Sequence, residues 1–472
     1  MKVKESKYLS ENKPLFKKLQ QALSAKYEYA SVLAADSKAK GYAVSASGTQ
    51  VQSGDTFGKR GFCARVYHNG AYAEYAGNVI SDELIPDILG QIEVSVSGNG
   101  SAYKRFETPI LEEEELSFDK STEYERHPAE LGDEAIVNTL SGMRERTMAL
   151  DSRLIDALFR LSYQEYHKLF LSDKRDLTQN VLWTCGSIAV ISKRGDEIKN
   201  AYEGFSTLGG AELLDRMEEH TPKIVKTCMD LLDSEPLVPG TYECVCTPEV
   251  TGMIVHEAFG HGVEMDMFVK DRALAKDWVG KQVASEIVNM RDGAASATEV
   301  ASFFFDDEGN VAKDTLVIDH GTLVSGYADA LSAARLSVSP TGNGRRQSVE
   351  RKAYTRMTNT FFEAGNSTPE EMIASVKDGL LLESPSSGME DPKNWGIQCM
   401  VSHAREIKDG KLTGRIFSPV VLTGYVPDLL KSISMLSNTV ELGGSGMCGK
   451  GYKEWVKVSD GGPWIKANIR LG

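Results

Sequence analysis

Apolar residues along this chain recur at two spacings, one typical of helices and one typical of strands. Helical spacing predicts amphipathic helices over residues 15–26, 82–93 and 210–232. The same spacing continues through residues 131–173, where the apolar positions are Ile136, Leu140, Met143, Leu154, Leu158 and Leu161. We therefore expect the middle of the chain to be rich in helices.

Alternating apolar and polar residues, bounded by turn dipeptides, predict strands elsewhere. Residues 41–77 show this alternation around Asn69-Gly70, a dipeptide typical of tight hairpin turns. Residues 179–192 also read as strand. Two further hairpins are expected later in the chain, around His320-Gly321 and around Asp409-Gly410.

These patterns together predict an α+β fold with mixed N-terminal and helix-rich middle regions and a strongly β C-terminal domain. Glycine-rich and acidic runs near residues 98–115 indicate a linker between the first two regions. The expected division is an N-terminal α/β domain at 1–100, a linker at 101–130, a helix-rich middle domain with strands at 131–224 and a C-terminal domain at 225–472.

Two helix starts in the C-terminal domain carry recognisable capping residues. Thr247 precedes Pro248 and Glu249, an order typical of a helix N-terminus, and the buried stripe that follows is Val250, Met253, Ile254 and Ala258. Thr368-Pro-Glu-Glu371 is a capping box, which predicts a helix over residues 368–377.

Composition and charge narrow the classes of function. The chain has 472 residues, 67 acidic against 53 basic, and a net charge of −14. That acidic excess argues against non-specific nucleic-acid binding, which relies on a basic face. The N-terminus lacks an apolar core of signal-peptide length, and no apolar run reaches the length of a membrane span, so no membrane association is expected. Seven cysteines without paired spacing suit a reducing cytoplasm.

Candidate chemistry is concentrated in His256-Glu257-Ala-Phe-Gly-His261. Neutral imidazoles bind Zn²⁺, and an adjacent carboxylate can take a proton from water at the metal. Residues five apart on an α-helix differ by about 140° and do not share a face. Both histidines reach one ion only if the helix widens, so we expect a π-type turn near Gly260, where glycine eases distortion. The alternative is that the motif is accidental.

A catalytic zinc site requires a third protein ligand. We favour Cys448, which lies in a glycine-rich segment and precedes Lys450, a residue expected to lower the pKa of its thiol. Glu264 is the rival ligand because it follows His261 by three residues, and Asp266 is a weaker rival. The remaining cysteines, including Cys244 and Cys246, are expected to be small buried residues.

Arginine is unusually dense between residues 345 and 356. An arginine fork suits a peptide carboxylate or the acidic face of a partner, so Arg345, Arg346 and Arg356 are candidate substrate-binding residues. The alternative is a surface loop whose arginines are balanced by nearby acids. The segment 341–346 lacks the lysine and strand–helix context of a phosphate-binding loop, so nucleotide binding is not expected.

The order of several segments resembles the TldD/PmbA family, on the TldD-like side that keeps the metal motif. The matching segments are His256-Glu257-x3-His261, Phe305-Asp-Asp-Glu-Gly309, Thr341-Gly-Asn-Gly-Arg-Arg346, Arg356-Met-Thr-Asn-Thr360 and Cys448-Gly-Lys450. They cover most of residues 225–460, and the N-terminal half matches more loosely. The chain departs from the family pattern at Glu264-Met265-Asp266, before Arg356 and over residues 388–395.

The resemblance implies a zinc metallopeptidase with His256, His261 and Cys448 as ligands of one Zn²⁺ and Glu257 as the catalytic carboxylate. It assigns this activity to residues 225–472 and implies peptides or unfolded protein segments as substrates. It also implies a dimer, either of two identical chains or of this chain with a metal-free family member. The alternatives are a non-catalytic partner or regulatory subunit with a structural metal site and a metal-dependent amidase acting on small molecules.

Overall fold

The first half of the chain is built from long strands with helices packed against them. The structure is a computed structural model that describes residues 1–53, 60–98, 108–452 and 454–472. The helices of this half are α1 (Lys7–Ser24), α2 (Ile85–Gly98), α3 (Pro128–Leu131), α4 (Asp133–Met148) and α5 (Leu213–Leu231). The strands are β1 (Tyr29–Ser45), β2 (Gly48–Ser53), β3 (Gly61–His68), β4 (Ala71–Gly77), β5 (Leu116–Ser121), β6 (Leu154–Leu171), β7 (Arg175–Arg194) and β8 (Glu197–Thr207).

Within the described residues, these strands form one eight-stranded sheet in the order β4-β3-β1-β6-β7-β5. Strand β2 pairs with the far end of β1, and β8 pairs with the far end of β7. Helices α1 and α2 cover an apolar cluster at one end of the sheet, whereas α4 and α5 cover a second cluster at the other end. The predicted hairpin at Asn69-Gly70 is confirmed, and both residues adopt positive φ there.

The predicted helical structure is correct for α4, which buries Ile136, Leu140 and Met143, but it is wrong from Leu154 onward. Residues 154–171 form strand β6, which pairs with β7 along almost its whole length. Alternate residues of this segment are buried, namely Ala157, Phe159, Leu161 and Tyr163. This two-residue period is the strand signal, and it overlaps the helical spacing of the leucines.

Part of the predicted linker contributes to the sheet. Residues 101–107 lie outside the described residues, whereas Leu116–Ser121 forms β5 and pairs parallel to β7. Strands from the predicted regions 1–100 and 131–224 therefore hydrogen-bond within one sheet. The domain boundaries stay a prediction.

The second half of the chain consists mainly of strands joined by short helices. Its helices are α6 (Pro248–Ile254), α7 (Met265–Val269), α8 (Ala330–Leu336), α9 (Pro369–Ala374) and α10 (Val426–Lys431). Strands β9–β17 are Gly240–Cys246, Met290–Asp292, Thr315–Asp319, Thr322–Leu323, Gly344–Arg345, Tyr354–Thr355, Asn359–Phe362, Asp378–Asp391 and Gly396–Lys408. Strands β18–β25 are Lys411–Phe417, Val420–Tyr425, Met435–Leu436, Glu441–Gly443, Met447–Lys450, Glu454–Lys457, Ser459–Gly462 and Ile465–Leu471.

Strands β16, β9, β25, β19 and β17 pair in that order, and β17 pairs again with β16, so that they close into a barrel. A second sheet has the order β12-β11-β10-β15-β24-β21, and β22 and β23 form a separate hairpin. The fold is therefore α+β with a strongly β C-terminal region, as the sequence predicts. No described helix is both long enough and apolar enough to cross a membrane.

Local predictions in this half are largely correct. Strands β11 and β12 pair across His320-Gly321, and β17 and β18 pair across Asp409-Gly410. Both bonds of the predicted capping box form at Thr368 and Glu371. The helix that they start is shorter than predicted and ends at Ala374.

Candidate metal centre

The segment that carries the two histidines changes helical type as it passes them. Helix α6 leads into a π-helical turn at Val255–Gly260, and a short 3-10 turn follows at His261–Val263. The N–H of His261 donates to the carbonyl of His256, an i→i+5 bond between the two imidazole-bearing residues. The predicted deformation is therefore confirmed.

Two local details differ from the prediction. Thr247 occupies the N-cap position, but its hydroxyl makes no capping bond and has no hydrogen-bond partner in the described part of the chain. Gly260 has an ordinary helical φ of −57°, so the turn does not require its conformational freedom. A Cβ at Gly260 would overlap the sulfur of Met357. Close packing is therefore the reason for a glycine at this position.

The β22–β23 hairpin brings Cys448 to the two histidines. One candidate ligand atom from each of His256, His261 and Cys448 lies within 4.8 Å of the others. The Sγ of Cys448 is 3.5 Å from Nε2 of His261. A tetrahedral site with Zn–S and Zn–N bonds of about 2.3 and 2.1 Å separates sulfur and nitrogen by about 3.6 Å. The spacing and the donor set both fit Zn²⁺.

Carboxylates behind the imidazoles orient them. The Oδ2 of Asp460 lies 3.1 Å from Nδ1 of His256, and Oε2 of Glu264 lies 3.3 Å from Nδ1 of His261. Because Nδ1 of each ring is engaged, Nε2 is the atom left for a metal. Glu264, the rival ligand considered from the sequence, therefore lies behind His261. No local sequence motif indicates Asp460, because it is 204 residues from His256.

Lys450 does not act on the thiol as expected. Its ammonium lies 2.8 Å from Oε2 of Glu264 and 2.6 Å from Oδ1 of Asp266, so these two carboxylates neutralise its charge. Burial alone would raise the pKa of Cys448, but His261 and His256 hold it well below the usual value. The imidazoles therefore favour the thiolate form of Cys448, which is the form in which a cysteine binds a metal.

Glu257 faces a groove of about 700 Å³ that begins beside His256. Burial raises the pKa of Glu257, while His256 and His261 act in the opposite direction. Gly388 on β16 packs closely against the side chain of Glu257. A Cβ at this position would lie only 2.3 Å from Cγ of Glu257. Close packing thus restricts how the side chain of Glu257 can lie.

One edge of strand β16 forms part of the groove wall. Beyond Leu382 this strand continues to pair with β17, but its other edge has no partner strand among the described residues. Residues 383–388 of that segment line the groove. The edge therefore offers free backbone hydrogen-bonding groups within reach of Glu257.

The C-terminal half of the chain matches a known protein family. Residues 239–468 match the model of the PmbA/TldA metallopeptidase C-terminal domain. Residues 239–468 belong to the TldD/PmbA family. A metalloprotease TldD homolog of Buchnera aphidicola is 31% identical over 259 residues, which are 54% of this chain and 53% of that protein. A zinc metalloprotease TldD homolog of Saccharolobus solfataricus is 27% identical over 65% of this chain and 69% of its own length.

The likeness extends further in fold than in sequence. The crystal structure of TldE from Thermococcus kodakarensis superposes with a TM-score of 0.72 over 97% of this chain and 100% of that chain, at 15% identity. By sequence, the chain spans 53% to 60% of the length of the first curated relatives it matches. The fold is therefore shared along the chain, whereas the sequence matches to these relatives cover only part of it.

The three arginines that the sequence suggested for substrate binding differ from one another in their surroundings. Arg356 is fully buried and donates to the carbonyls of Cys448 and Glu454, so it supports the hairpin that carries the thiol. Arg346 pairs with Glu74 of β4. Arg345 donates to the carbonyl of Met357 and forms no ion pair with any described residue. Their predicted substrate-binding role stays a prediction.

Sequence reasoning also missed Glu390, which lies behind the metal centre. A Cβ on Gly262 would lie 2.8 Å from Oε1 of Glu390. Neither carboxylate oxygen, both buried, has a hydrogen-bond partner among the residues that the structure describes, and burial raises the pKa of this group well above its usual value. The residue lies in the segment where the chain departs from the family pattern, so neither motif nor spacing indicated it.

Proposed function

We propose that this protein is a zinc-dependent peptidase that hydrolyses amide bonds of peptides or unfolded protein segments. The observation that carries the proposal is the convergence of His256, His261 and Cys448 within 4.8 Å, next to a carboxylate that faces an open groove. His256, His261 and Cys448 would hold one Zn²⁺ in each active subunit. Three protein ligands leave the fourth position free, as in catalytic zinc sites.

Zn²⁺ bound there would act as a Lewis acid that polarises the scissile carbonyl and makes water more acidic. Glu257 then accepts the proton of the attacking water and later donates it to the nitrogen of the departing amine. Asp460 and Glu264 keep the two imidazoles in the orientation that presents Nε2. Both oxygens of Glu257 must remain free of strong ion pairs for this role, and no described cation lies within 4 Å of them as an ion-pair partner.

The groove supports a preference for extended substrates. The unpaired edge of β16 over residues 383–388 could accept a peptide as an added strand, which recognises backbone more than side chains. An unfolded segment can supply such a strand, whereas a folded domain cannot enter a groove of about 700 Å³. This geometry favours peptides over small-molecule amides.

The protein is expected to act as a dimer in the cytoplasm. The partner would be a second copy or a metal-free family member, since the fold of the TldE structure matches this chain throughout. All seven cysteines are free and buried, which suits a reducing compartment. The competing proposal is a non-catalytic subunit with a structural metal site. In such a subunit Glu257 would have no catalytic role.

Glu257→Gln separates these functions. We expect the variant to keep the zinc content of the parent chain, while cleavage of an unfolded protein such as reduced casein falls by about 10²–10⁴-fold. Glu370→Gln, on the exposed first turn of α9, is the matched control and should leave both properties unchanged. Undiminished cleavage by Glu257→Gln would show that this carboxylate is not the base.

A further inference from the structure

A second cavity adjoins the hairpin that carries Cys448. This cavity, of about 80 Å³, is lined by the first sheet, the 303–307 and 345–349 segments and the β22–β23 hairpin, and we call it the hairpin cavity. Met447 lines both the hairpin cavity and the active-site groove.

Four cationic side chains line the hairpin cavity, and two of them have a carboxylate partner. Lys168 lies 2.5 Å from Asp307, and Arg346 lies 2.5 Å from Glu74. Arg345 and Lys457 form no ion pair with any described residue. Arg345 donates to the carbonyl of Met357, and Lys457 donates to the carbonyl of Gly446.

A cation withdrawn from water without a carboxylate partner is costly, particularly where two line one small space. Lys457 is only 7% exposed, and Arg345 is partly buried, which lowers its pKa. Aromatic rings offset part of the cost: the Arg345 guanidinium is 5.3 Å from the Phe303 ring centre, and the Lys457 ammonium is 5.0 Å from that of Trp183. A ring does not replace a counter-ion in a buried site.

We propose that the hairpin cavity binds a small oxyanion, in the form of a carboxylate on a short apolar stem. The guanidinium of Arg345 and the ammonium of Lys457 would hold the two oxygens, and Leu33, Phe303 and Phe305 would contact the stem. A volume of about 80 Å³ suits a group of a few heavy atoms, larger than one water. The carboxylate belongs either to a free small molecule or to the C-terminus of a peptide.

Propionate and propionamide form a probe pair that differs only in the charged group. In calorimetric titrations at constant ionic strength, we expect the parent chain to bind propionate at least tenfold more tightly than propionamide. Arg345→Gln and Lys457→Met should each weaken propionate binding at least tenfold. Arg415→Gln, at an exposed surface ion pair, is the matched control and should bind as the parent chain does.

A third variant keeps the proposal testable if the Arg345 and Lys457 variants fail to fold. Ala35→Leu fills the hairpin cavity from β1 without removing any charge, and it should also abolish propionate binding. Equal binding of propionate and propionamide, or undiminished propionate binding by folded Ala35→Leu, would overturn the proposal. These titrations need neither zinc nor peptide cleavage, so they are independent of the proposed peptidase function.

Amidated and free-acid forms of one peptide substrate distinguish the two sources of the carboxylate. If the substrate C-terminus occupies the hairpin cavity, amidation should raise KM at least tenfold in the parent chain and leave it unchanged in Arg345→Gln. If a separate molecule is the ligand, the two peptides should have equal KM, and propionate binding should still require Arg345 and Lys457.

Discussion

The groove beside Glu257 and the hairpin cavity share Met447 of the β22–β23 hairpin in their walls, but they differ in charge. Carboxylates outnumber cations along the groove, where the acidic residues are Glu203, Glu249, Glu257, Glu383, Glu441 and Asp460 and the permanent cations are Arg216 and Lys223. The hairpin cavity has the opposite composition, with Lys168, Arg345, Arg346 and Lys457 against Asp306 and Asp307. Each site therefore favours a ligand of the opposite sign.

The difference indicates what each site lacks. Asp460 and Glu264 lie behind the imidazoles of the candidate metal centre, and the imidazoles hold the pKa of Cys448 well below its usual value. A divalent cation bound by His256, His261 and Cys448 would offset the negative charge of the thiolate and these carboxylates. In the hairpin cavity, an anion would offset Arg345 and Lys457 in the same way. The protein as a whole is acidic, so the cationic cavity is a local feature and not an average property.

The largest effect is expected from removing a ligand of the cation. Cys448→Ala should lose zinc and all measurable cleavage, because two imidazoles alone do not make a catalytic site. Glu264→Gln should keep zinc, since Glu264 orients His261 from behind. Metal analysis of both purified variants tests the assignment. The reverse pattern, with zinc lost only from Glu264→Gln, would exchange the roles of the two residues.

A smaller effect is expected when the groove wall presses on Glu257. A Cβ at Gly388 would overlap Cγ of Glu257, so Gly388→Ala should displace this carboxylate and lower kcat/KM about 100-fold. Zinc content should not change. Gly396→Ala, at the start of β17, is the control because a Cβ there meets no atom within 4 Å. Equal kcat/KM for the two variants would mean that the position of Glu257 is not critical.

Removing an orienting carboxylate should have a more moderate effect on metal binding. In Asp460→Asn, Nδ1 of His256 loses its charged partner, and we expect zinc affinity to fall about 10–100-fold. Competition with a chromophoric chelator measures this change. Glu441→Gln removes an exposed carboxylate at the groove rim and should bind zinc as the parent chain does. An unchanged affinity in Asp460→Asn would exclude an orienting role.

The smallest effect on cleavage is expected for Glu74, whose partner Arg346 lines the hairpin cavity. Changing Glu74 should lower the stability of the fold instead. Burial would raise the pKa of Glu74, but Arg65 and Arg346 lower it from 4.5 to about 2. The two ion pairs of Glu74 therefore contribute stability above about pH 4.5, and this contribution is lost as the pH falls toward 2. Glu74→Gln should lower the free energy of unfolding by about 3 kcal/mol at pH 7 and by less at pH 3.

Urea unfolding at both pH values measures the stability of Glu74→Gln. Glu125→Gln changes an exposed carboxylate and serves as the control. A loss of stability that is the same at pH 3 and pH 7 would show that the ion pairs of Glu74 do not account for it. Peptide cleavage by folded Glu74→Gln should equal that of the parent chain.

The sequence was sufficient for features that depend on local spacing. The five-residue separation of His256 and His261 predicts a widened turn, and the i→i+5 bond between them is present. The turn dipeptides and the capping box at Thr368 also depend on neighbouring residues, and the corresponding structures form. Such signals suffice because the interactions involved span only a few residues.

The sequence was insufficient where distant segments decide the outcome. The strand at Leu154–Leu171 is stabilised by pairing with β1 and β7, which outweighs the helical spacing of its leucines. Lys450 appeared suited to stabilise a thiolate, but two carboxylates from another segment neutralise it. Asp460 and Glu390 reach the metal centre only through the tertiary fold.

X-ray absorption spectroscopy at the zinc edge tests the central assignment most directly. The purified chain reconstituted with one equivalent of Zn²⁺ should show one sulfur at about 2.3 Å and two imidazole nitrogens at about 2.0–2.1 Å. The sulfur shell should disappear in Cys448→Ala. A spectrum of the parent chain with only oxygen and nitrogen ligands would contradict the proposed centre.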